Sequence, residues 1–178
     1  SAAPDGYTLL IGSNGPLTVN PFVQAKLNYD TLKDFAAVGL ANLAPHAIVV
    51  NPSVPAKTVA ELVELSKKQP ITIATSGTGS AGHMTLVRFM TATGAKLTHV
   101  PYKGGSTFMP DVLSGVVNGV MTELSTALPQ HKAGKVRILA VASASRPNQV
   151  PDVPTMQEAG LKGFLAASYV GLLAPAKT

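Results

Sequence analysis

Two glycine-bearing loops contain the residue types best suited to chemistry in this chain. The first is Ser76–Ser80, which reads Ser-Gly-Thr-Gly-Ser, and the second is Tyr102–Gly105, which reads Tyr-Lys-Gly-Gly. Glycine and hydroxyl residues favour tight turns, and such turns bring backbone amides close to a ligand. Lys103 adds a full positive charge to the second loop. Together these residues predict the capture of a small anion.

The elements around the first loop read as strand, helix and strand. Ile71–Ala74 is a short apolar run typical of a strand, and Met84, Val87 and Met90 then recur at helical spacing. A second strand, predicted at Leu97–Val100, leads into the second loop. This order predicts a βαβ unit with parallel strands, in which ligands bind beyond the carboxyl ends of the strands. The two loops are therefore predicted to be neighbours.

Two interpretations of the first loop remain open. In one, the hydroxyls of Ser76, Thr78 and Ser80 and the amides at the start of the following helix bind an anion. In the other, Ser80 only caps that helix and the glycines only form a turn. His83 and Tyr102 then either contact the ligand or serve as a solvated histidine and a packing residue.

The segment Gly77–Gly82 also matches the pattern G-x-G-x-x-G, after a predicted strand and at the start of a predicted helix. That is the context of dinucleotide binding. The acidic residue expected at the end of the next strand is missing, since His99–Gly105 contains no Asp or Glu. Lys103 suits a 2′-phosphate, so an NADP-dependent oxidoreductase domain is the alternative function.

No other catalytic pattern is found. A nucleophile elbow is excluded because position 78 is Thr, and the chain has no cysteine. The four histidines are far apart in sequence, which predicts no metal site. Asp111, Glu123 and Asp152 form no evident acid–base pair. We therefore predict a binding protein with no catalytic residue, metal or cofactor.

Composition narrows the class of ligand. The chain has 178 residues, 46% of them hydrophobic and 13% charged, with a net charge of +5. Lys and Arg are scattered along the sequence, which argues against a nucleic-acid partner and suits small acidic ligands. No apolar run approaches the ~20 residues of a membrane-spanning helix, so no direct membrane insertion is expected.

Periodicity predicts about seven strands alternating with about five helices, hence an α/β fold with a largely parallel sheet. Strands are predicted at Tyr7–Gly12, at Ala37–Leu43 (weakly), at His46–Asn51 and at Val116–Met121, among others. The apolar strand Val136–Ser143 is predicted to be central and buried on both faces.

Several segments in sequence order resemble the Bug family, the periplasmic solute receptors of tripartite tricarboxylate transporters. The matching segments are PDGYTLL (Pro4–Leu10), NYDTLKDFAAV (Asn28–Val38), VVNPSVPAKTVAELV (Val49–Val63), ATSGTGSAGHM (Ala74–Met84), HVPYKGG (His99–Gly105), ALPQHKAGKVRILAVASASR (Ala127–Arg146), PDVPTMQEAGLKGF (Pro151–Phe164) and YVGLLAPA (Tyr169–Ala176).

The resemblance implies an α/β, periplasmic-binding-protein-like (type II-like) architecture of two lobes that close on a small carboxylate. The receptor then delivers the ligand to membrane-embedded transporter subunits without catalysing a reaction. It implies that residues 1–47 belong to the first lobe, 48–164 form the second and 165–178 return to the first. The family chain is longer at both ends, so one lobe is expected to be complete and the other partial, with self-association through the partial lobe.

The resemblance also places the ligand site on loops at the cleft. The implied ligand-binding residues are Ser13, Asn14, Thr18, Ser76, Gly77, Thr78, Gly79, Ser80, His83, Tyr102, Lys103, Gly104 and Thr122. Family members often carry Asp at the position of Thr122 and at that of Asn118. A ligand amino group would lose a partner there, so a plain carboxylate is expected rather than an amino acid.

Overall fold

The structure is a computed structural model that describes residues 3–104 and 106–178. It divides the chain into two units. Unit 1 comprises Ser1–Leu43 and Ser168–Thr178, and unit 2 comprises Ala44–Ala167. The assignment of 1–47, 48–164 and 165–178 to the lobes of a receptor stays a prediction, and each unit is described by itself below.

The helices and strands follow one another as strand, short helices and then alternating strand and helix. In chain order they are β1 (Leu10–Ser13), a π-helical turn (Gly15–Val19), α1 (Asn20–Val23), β2 (Phe35–Val50), α2 (Val59–Lys68), β3 (Ile71–Thr75), α3 (Ala81–Thr93), β4 (Leu97–Pro101), α4 (Met109–Ser114), β5 (Gly119–Glu123), α5 (Leu124–Lys132), β6 (Arg137–Val141) and β7 (Ala167–Pro175). Within residues 3–104 and 106–178, no helix has both the length and the apolar character needed to cross a membrane.

Unit 1 is built on β1, β7 and the first part of β2. β1 and β7 pair antiparallel, with Leu10 opposite Leu173. Among the described apolar residues of this unit, only Leu17 and Ala174 are buried, whereas Phe22 is 88% and Leu32 91% exposed. Unit 1 therefore has very little core of its own.

Unit 2 contains a mixed sheet in the order β6-β2-β5-β3-β4. β3 pairs parallel with β4 and β5, as the βαβ unit predicted. β2 lies between β5 and β6 and is antiparallel to both. The prediction of a largely parallel sheet is wrong at β2, because the alternation of strands and helices does not determine the direction of a strand inserted between two others.

β6 is an edge strand of this sheet, so its predicted central position is wrong. Its apolar residues are nevertheless buried. The segment around Thr155 covers the outer edge, where Val141 donates its amide to the carbonyl of Pro154 and accepts from the amide of Met156. The sequence suggested that a neighbouring strand would bury the apolar residues of β6. The segment around Thr155, which is not a strand, covers them instead.

β2 joins two strands that were predicted separately, Ala37–Leu43 and His46–Asn51. Pro45 lies inside it and removes only one amide donor. β5 begins later than predicted, at Gly119, because Val116–Asn118 form the turn that precedes it.

Two apolar clusters cover the two faces of the unit 2 sheet. Ile48 belongs to the cluster that includes Leu62 of α2 and Phe89 of α3. Its neighbour Val49 belongs to the other, with Val112 of α4. Successive residues of a strand point to opposite faces, so β2 anchors both clusters.

The helix boundaries of α2 and α3 follow local signals. Thr58 caps α2 by accepting a hydrogen bond from the amide of Glu61. Ser80 caps α3 by accepting from the amide of His83, and Gly94 ends that helix with φ of 69°.

Candidate functional site

The two glycine-bearing loops meet at the carboxyl ends of β3 and β4. Tyr102 donates its amide to the carbonyl of Thr75 at 3.0 Å, and Gly104 donates to the carbonyl of Ser76 at 2.8 Å. A side chain added at Gly77 would lie 3.0 Å from the carbonyl oxygen of Tyr102. The predicted proximity of the loops is confirmed.

The first loop uses several of its own amides to hold its shape. Gly77 donates to the hydroxyl of Thr75 at 3.3 Å, Ser80 to the carbonyl of Gly77 at 3.2 Å and Gly79 to Nδ1 of His83 at 3.1 Å. Gly79 has φ of 77°, a left-handed conformation that suits glycine. Fewer amides therefore face outward than the sequence suggested.

The remaining donors of the first loop are those of Ser76 and Thr78. Within the described residues, neither amide donates to another protein group. Ser76 is half-buried and Thr78 is exposed. Ser80, in contrast, serves as the helix cap that one of the two interpretations required.

A pair of stacked histidines lies beside the first loop. The rings of His83 and His99 are 4.1 Å apart at an interplanar angle of 16°. Nε2 of His99 is 2.7 Å from the hydroxyl of Thr75, which is fully buried. Burial lowers the pKa of both histidines below the usual value, and the charge of His83 lowers the pKa of His99 further.

Sequence reasoning included His83 but missed His99. The two are far apart in sequence and have no ligand spacing. The only available signal was the βαβ prediction itself, which places the first turn of the helix close to the strand that follows.

Tyr102 is engaged with another residue of its own unit. Its hydroxyl donates to Oδ2 of Asp111 at 2.5 Å. This hydrogen bond, together with burial and the charge of Asp111, raises the pKa of Tyr102 to about 12. The single hydrogen of the phenol is thus donated within the protein, and the ring packs edge-on against Phe108.

Lys103 and Gly104 form the described tip of the second loop. Lys103 is exposed, and within residues 3–104 and 106–178 it forms no ion pair. Gly104 has φ of 77°. Gly105, the last residue of the motif, lies outside the described residues.

Thr122 lies near the carboxyl end of β5, and Asn118 immediately precedes its amino end. Thr122 is buried and pairs with Ala47 of β2. The adjacent Met121 carbonyl lies 2.8 Å from the position of a side chain added at Gly82, so this end of β5 adjoins the first turn of α3.

Asn118 accepts hydrogen bonds from both the amide and the hydroxyl of Thr72, each at 2.9 Å. Thr72 lies at the amino end of β3, away from the loops. The inference that Asn118 stands at a ligand-contacting position is therefore wrong, because it joins the starts of two strands.

Ser13, Asn14 and Thr18 belong to unit 1. Ser13 pairs with Val170, and Oδ1 of Asn14 accepts from the amide of Tyr169 at 2.8 Å. The hydroxyl of Thr18 donates to the carbonyl of Asn14 at 2.7 Å. These contacts fix the turn that follows β1.

Two surface recesses also lie in unit 1, with volumes of about 450 and 730 Å³. The smaller includes Thr18, but its other lining residues, such as Leu17 and Phe22, are mainly apolar. An apolar recess is poorly suited to a small anion, so this smaller recess is a weaker candidate site than the loops of unit 2.

The sequence and the fold were compared with known proteins. The family described as "Tripartite tricarboxylate transporter family receptor", TctC, matches residues 1–178. Protein BugT of Bordetella pertussis is 32% identical over 99% of this chain and 55% of its own. The chain thus spans about half the length of the curated relatives it matches.

Solved structures are also similar to this chain. A protein of R. palustris with adipate is 34% identical, with a TM-score of 0.91 over 99% of this chain and 60% of its own. MatC from Rhodopseudomonas palustris with bound malate is 30% identical, with a TM-score of 0.86 over 99% and 61%. The predicted α/β, periplasmic-binding-protein-like fold is confirmed, and the relatives are receptors rather than enzymes. This chain belongs to the TctC family of tripartite tricarboxylate transporter receptors, which includes the Bug proteins.

Proposed function

We propose that this chain is the solute-capturing part of a periplasmic receptor that binds a small carboxylate and delivers it to a tripartite tricarboxylate-type membrane transporter. The observation that carries the proposal is the meeting of the two loops at Gly104 and Ser76, at the edge of the sheet where α/β proteins bind ligands. The receptor family supports the same function. Membership of a receptor family gives no support to the alternative, an NADP-dependent oxidoreductase domain that uses Gly77–Gly82.

The ligand is proposed to be a carboxylate because the loops offer donors and a cation. Among residues 3–104 and 106–178 the amides of Ser76 and Thr78 have no acceptor, α3 begins at Ala81, and Lys103 carries a full charge. Relatives with adipate and with malate bind molecules of this class. The proposed ligand-binding residues are Ser76, Gly77, Thr78, Gly79, Ser80, His83, Tyr102, Lys103, Gly104 and Thr122 in unit 2 and Ser13, Asn14 and Thr18 in unit 1.

The roles of these residues differ. Lys103 supplies the charge, and the hydroxyls of Ser76 and Thr78 add donors. Tyr102 contributes its ring rather than a donor, since its hydrogen is given to Asp111. Thr122 is uncharged, which favours a plain carboxylate over an amino acid because an ammonium group would lack an acidic partner there.

A thermal-shift screen tests the proposal. The panel holds di- and tricarboxylates including adipate and malate, aromatic carboxylates, acidic amino acids, nicotinate and NADPH. A ligand at 100 times its dissociation constant stabilises the folded state by about 2.7 kcal/mol. We expect a shift with one or more carboxylates and none with NADPH.

Two variants make the screen specific. Lys103→Met should weaken the carboxylate roughly 10-fold, as expected for loss of a charged hydrogen-bond donor. Lys132→Met, on the exposed last turn of α5, removes the same charge elsewhere and should leave the affinity unchanged. A shift with NADPH alone, or equal losses in both variants, would contradict the proposal.

A further inference from the structure

The stacked pair of His83 and His99 lies beside the first loop. The rings are nearly parallel, at 16°, with centroids 4.1 Å apart. Each ring is also hydrogen-bonded at one nitrogen to a different part of the strand–loop segment, Thr75 to Gly79. A stack held at both members has a defined orientation.

His99 is hydrogen-bonded to a buried residue at the end of a strand. Its Nε2 lies 2.7 Å from the hydroxyl of Thr75, the last residue of β3. Thr75 is fully buried and lies opposite Pro101 of β4, the strand that carries His99. The ring of His99 is therefore fixed by the sheet, not by the loop.

His83 has a defined tautomer as a result of its contact with the loop. The amide of Gly79 donates to Nδ1 of His83 at 3.1 Å, so Nδ1 must be unprotonated to accept. The hydrogen of the neutral ring is then on Nε2. Within the described residues no protein acceptor for this Nε2–H is found, and the ring is only half-buried.

We propose that His83 presents Nε2–H as a hydrogen-bond donor to a carboxylate oxygen of the ligand, and that His99 is a positioning residue that holds the ring of His83 in that orientation. This inference rests on the proposed carboxylate-binding function and identifies the neutral donor of the same site. Lys103 then attracts the carboxylate by its charge, while the hydrogen bond from His83 orients the carboxylate.

The neighbouring charges are consistent with a neutral pair. Asp111 accepts a hydrogen bond from the hydroxyl of Tyr102. Arg88, further along α3, donates hydrogen bonds to the carbonyls of Leu165 and Gly163. Lys103 follows β4 and Glu123 ends β5. Burial lowers the pKa of both His83 and His99, which favours the neutral rings at neutral pH.

Two substitutions at His83 separate the two ring nitrogens. In His83→Asn the side-chain oxygen reaches the position of Nδ1 and can accept from Gly79, but no donor remains at Nε2. In His83→Gln the terminal amide reaches the position of Nε2 and can donate, while the acceptor for Gly79 is lost. Titration calorimetry with adipate and malate as probes measures the dissociation constants.

If Nε2–H contacts the ligand, His83→Asn weakens binding roughly 10- to 100-fold, the effect of losing a hydrogen bond to a charged group, and His83→Gln weakens it less. If His83 only supports the loop, the order is reversed. The reversed order, or equal losses, would overturn the role of Nε2.

The positioning role of His99 has a spectroscopic test that needs no ligand. Ring ¹⁵N shifts of the ligand-free protein report which nitrogen carries the hydrogen. We expect an unprotonated Nδ1 at His83 in the wild type. In His99→Phe, which keeps a flat ring but loses the hydrogen bond to Thr75, we expect a mixture of tautomers, because a His83 ring that is no longer held in place turns away from the Gly79 amide. His131→Phe, half-buried on α5, is the matched control and should leave the His83 signals unchanged.

The outcomes separate the two proposals. A wild-type protein that binds no carboxylate overturns the proposed function, and with it the donor role of His83. A protonated Nδ1 at His83, or unchanged His83 signals and affinity in His99→Phe, overturns the inference about the pair while the receptor function stands.

Discussion

His46 shows what full burial does to a single ionisable side chain. It is 1% exposed, and Nδ1 lies 2.6 Å from the hydroxyl of Thr85. That hydroxyl donates to the carbonyl of Ala81, so it accepts the Nδ1–H of His46. Burial lowers its pKa to about 4, from an ordinary value of 6.5.

This pKa predicts acid sensitivity of the fold. Between pH 6.5 and pH 4 the unfolded chain binds a proton at His46 that the folded chain does not, so stability falls as the pH falls. The total loss is on the order of 3 kcal/mol, with a slope of about 1.4 kcal/mol per pH unit. Above pH 6.5 this contribution is constant.

Denaturant unfolding at a series of pH values, with the His46→Asn variant, tests the prediction. Asn keeps a donor near the position of Nδ1 but cannot be protonated, so the slope should become smaller. His131→Asn makes the same change on α5 and controls for the loss of an imidazole elsewhere in unit 2. Identical slopes in wild type and His46→Asn would contradict the assignment.

At the scale of elements, the backbones of β2 and β5 lie very close together at the start of β5. Gly119 begins β5 opposite Val50 of β2. A side chain at Gly119 would overlap the carbonyl oxygen of Val49 and would lie 3.0 Å from Cδ1 of Ile73. Glycine is required at this point because the neighbouring atom is backbone and has little room to move.

Gly119→Ala is therefore expected to destabilise the protein by about 1–3 kcal/mol, the usual range for overpacking in a core. Gly39→Ala is the matched control, since it lies in β2 with nothing within 4 Å of the added methyl group. That change should be neutral or slightly stabilising. Urea unfolding compares the two, and similar stabilities would show that β2 and β5 separate easily.

One of the segments that carry the family resemblance stabilises the fold of unit 2. In PDVPTMQEAG, Thr155 and Glu158 form a reciprocal capping box, and Arg146 pairs with Glu158 at 2.9 Å. The segment also covers the edge of β6. Its role in this chain is to close the sheet of unit 2.

At the scale of the whole molecule, the two units differ in how much core each contains. Almost every buried apolar residue described belongs to unit 2. Unit 1 exposes Tyr7 at 94% and Ile11 at 73%. The self-association expected through this unit stays a prediction.

β2 allows this difference to be measured within one strand. Residues 37–43 are exposed and belong to unit 1, whereas His46–Val50 are buried in unit 2. We expect hydrogen–deuterium exchange to show much stronger protection of amides 46–50 than of amides 37–43, since local opening costs least where few apolar contacts are broken. Equal protection along β2 would show that the strand opens as one unit.

Much of the fold follows from local sequence signals. The βαβ unit of β3, α3 and β4 was predicted, and the cap at Ser80 was one of the two interpretations of its loop, because caps and periodicity act within a few turns of chain. Parallel pairing then placed the two loops side by side.

Only the tertiary structure determined the contacts that depend on strand order and register. One is the insertion of β2 between β5 and β6. The others are the hydrogen bonds of Asn118 with Thr72 and of Tyr102 with Asp111, and the stacking of His83 on His99. By itself the sequence determined the class of fold and the family, since these depend on residue types in local patterns, and the anion-binding character of the loops stays a prediction. It did not determine which amides, hydroxyls and ring nitrogens remain for a ligand, because that depends on which of them the rest of the fold has already paired.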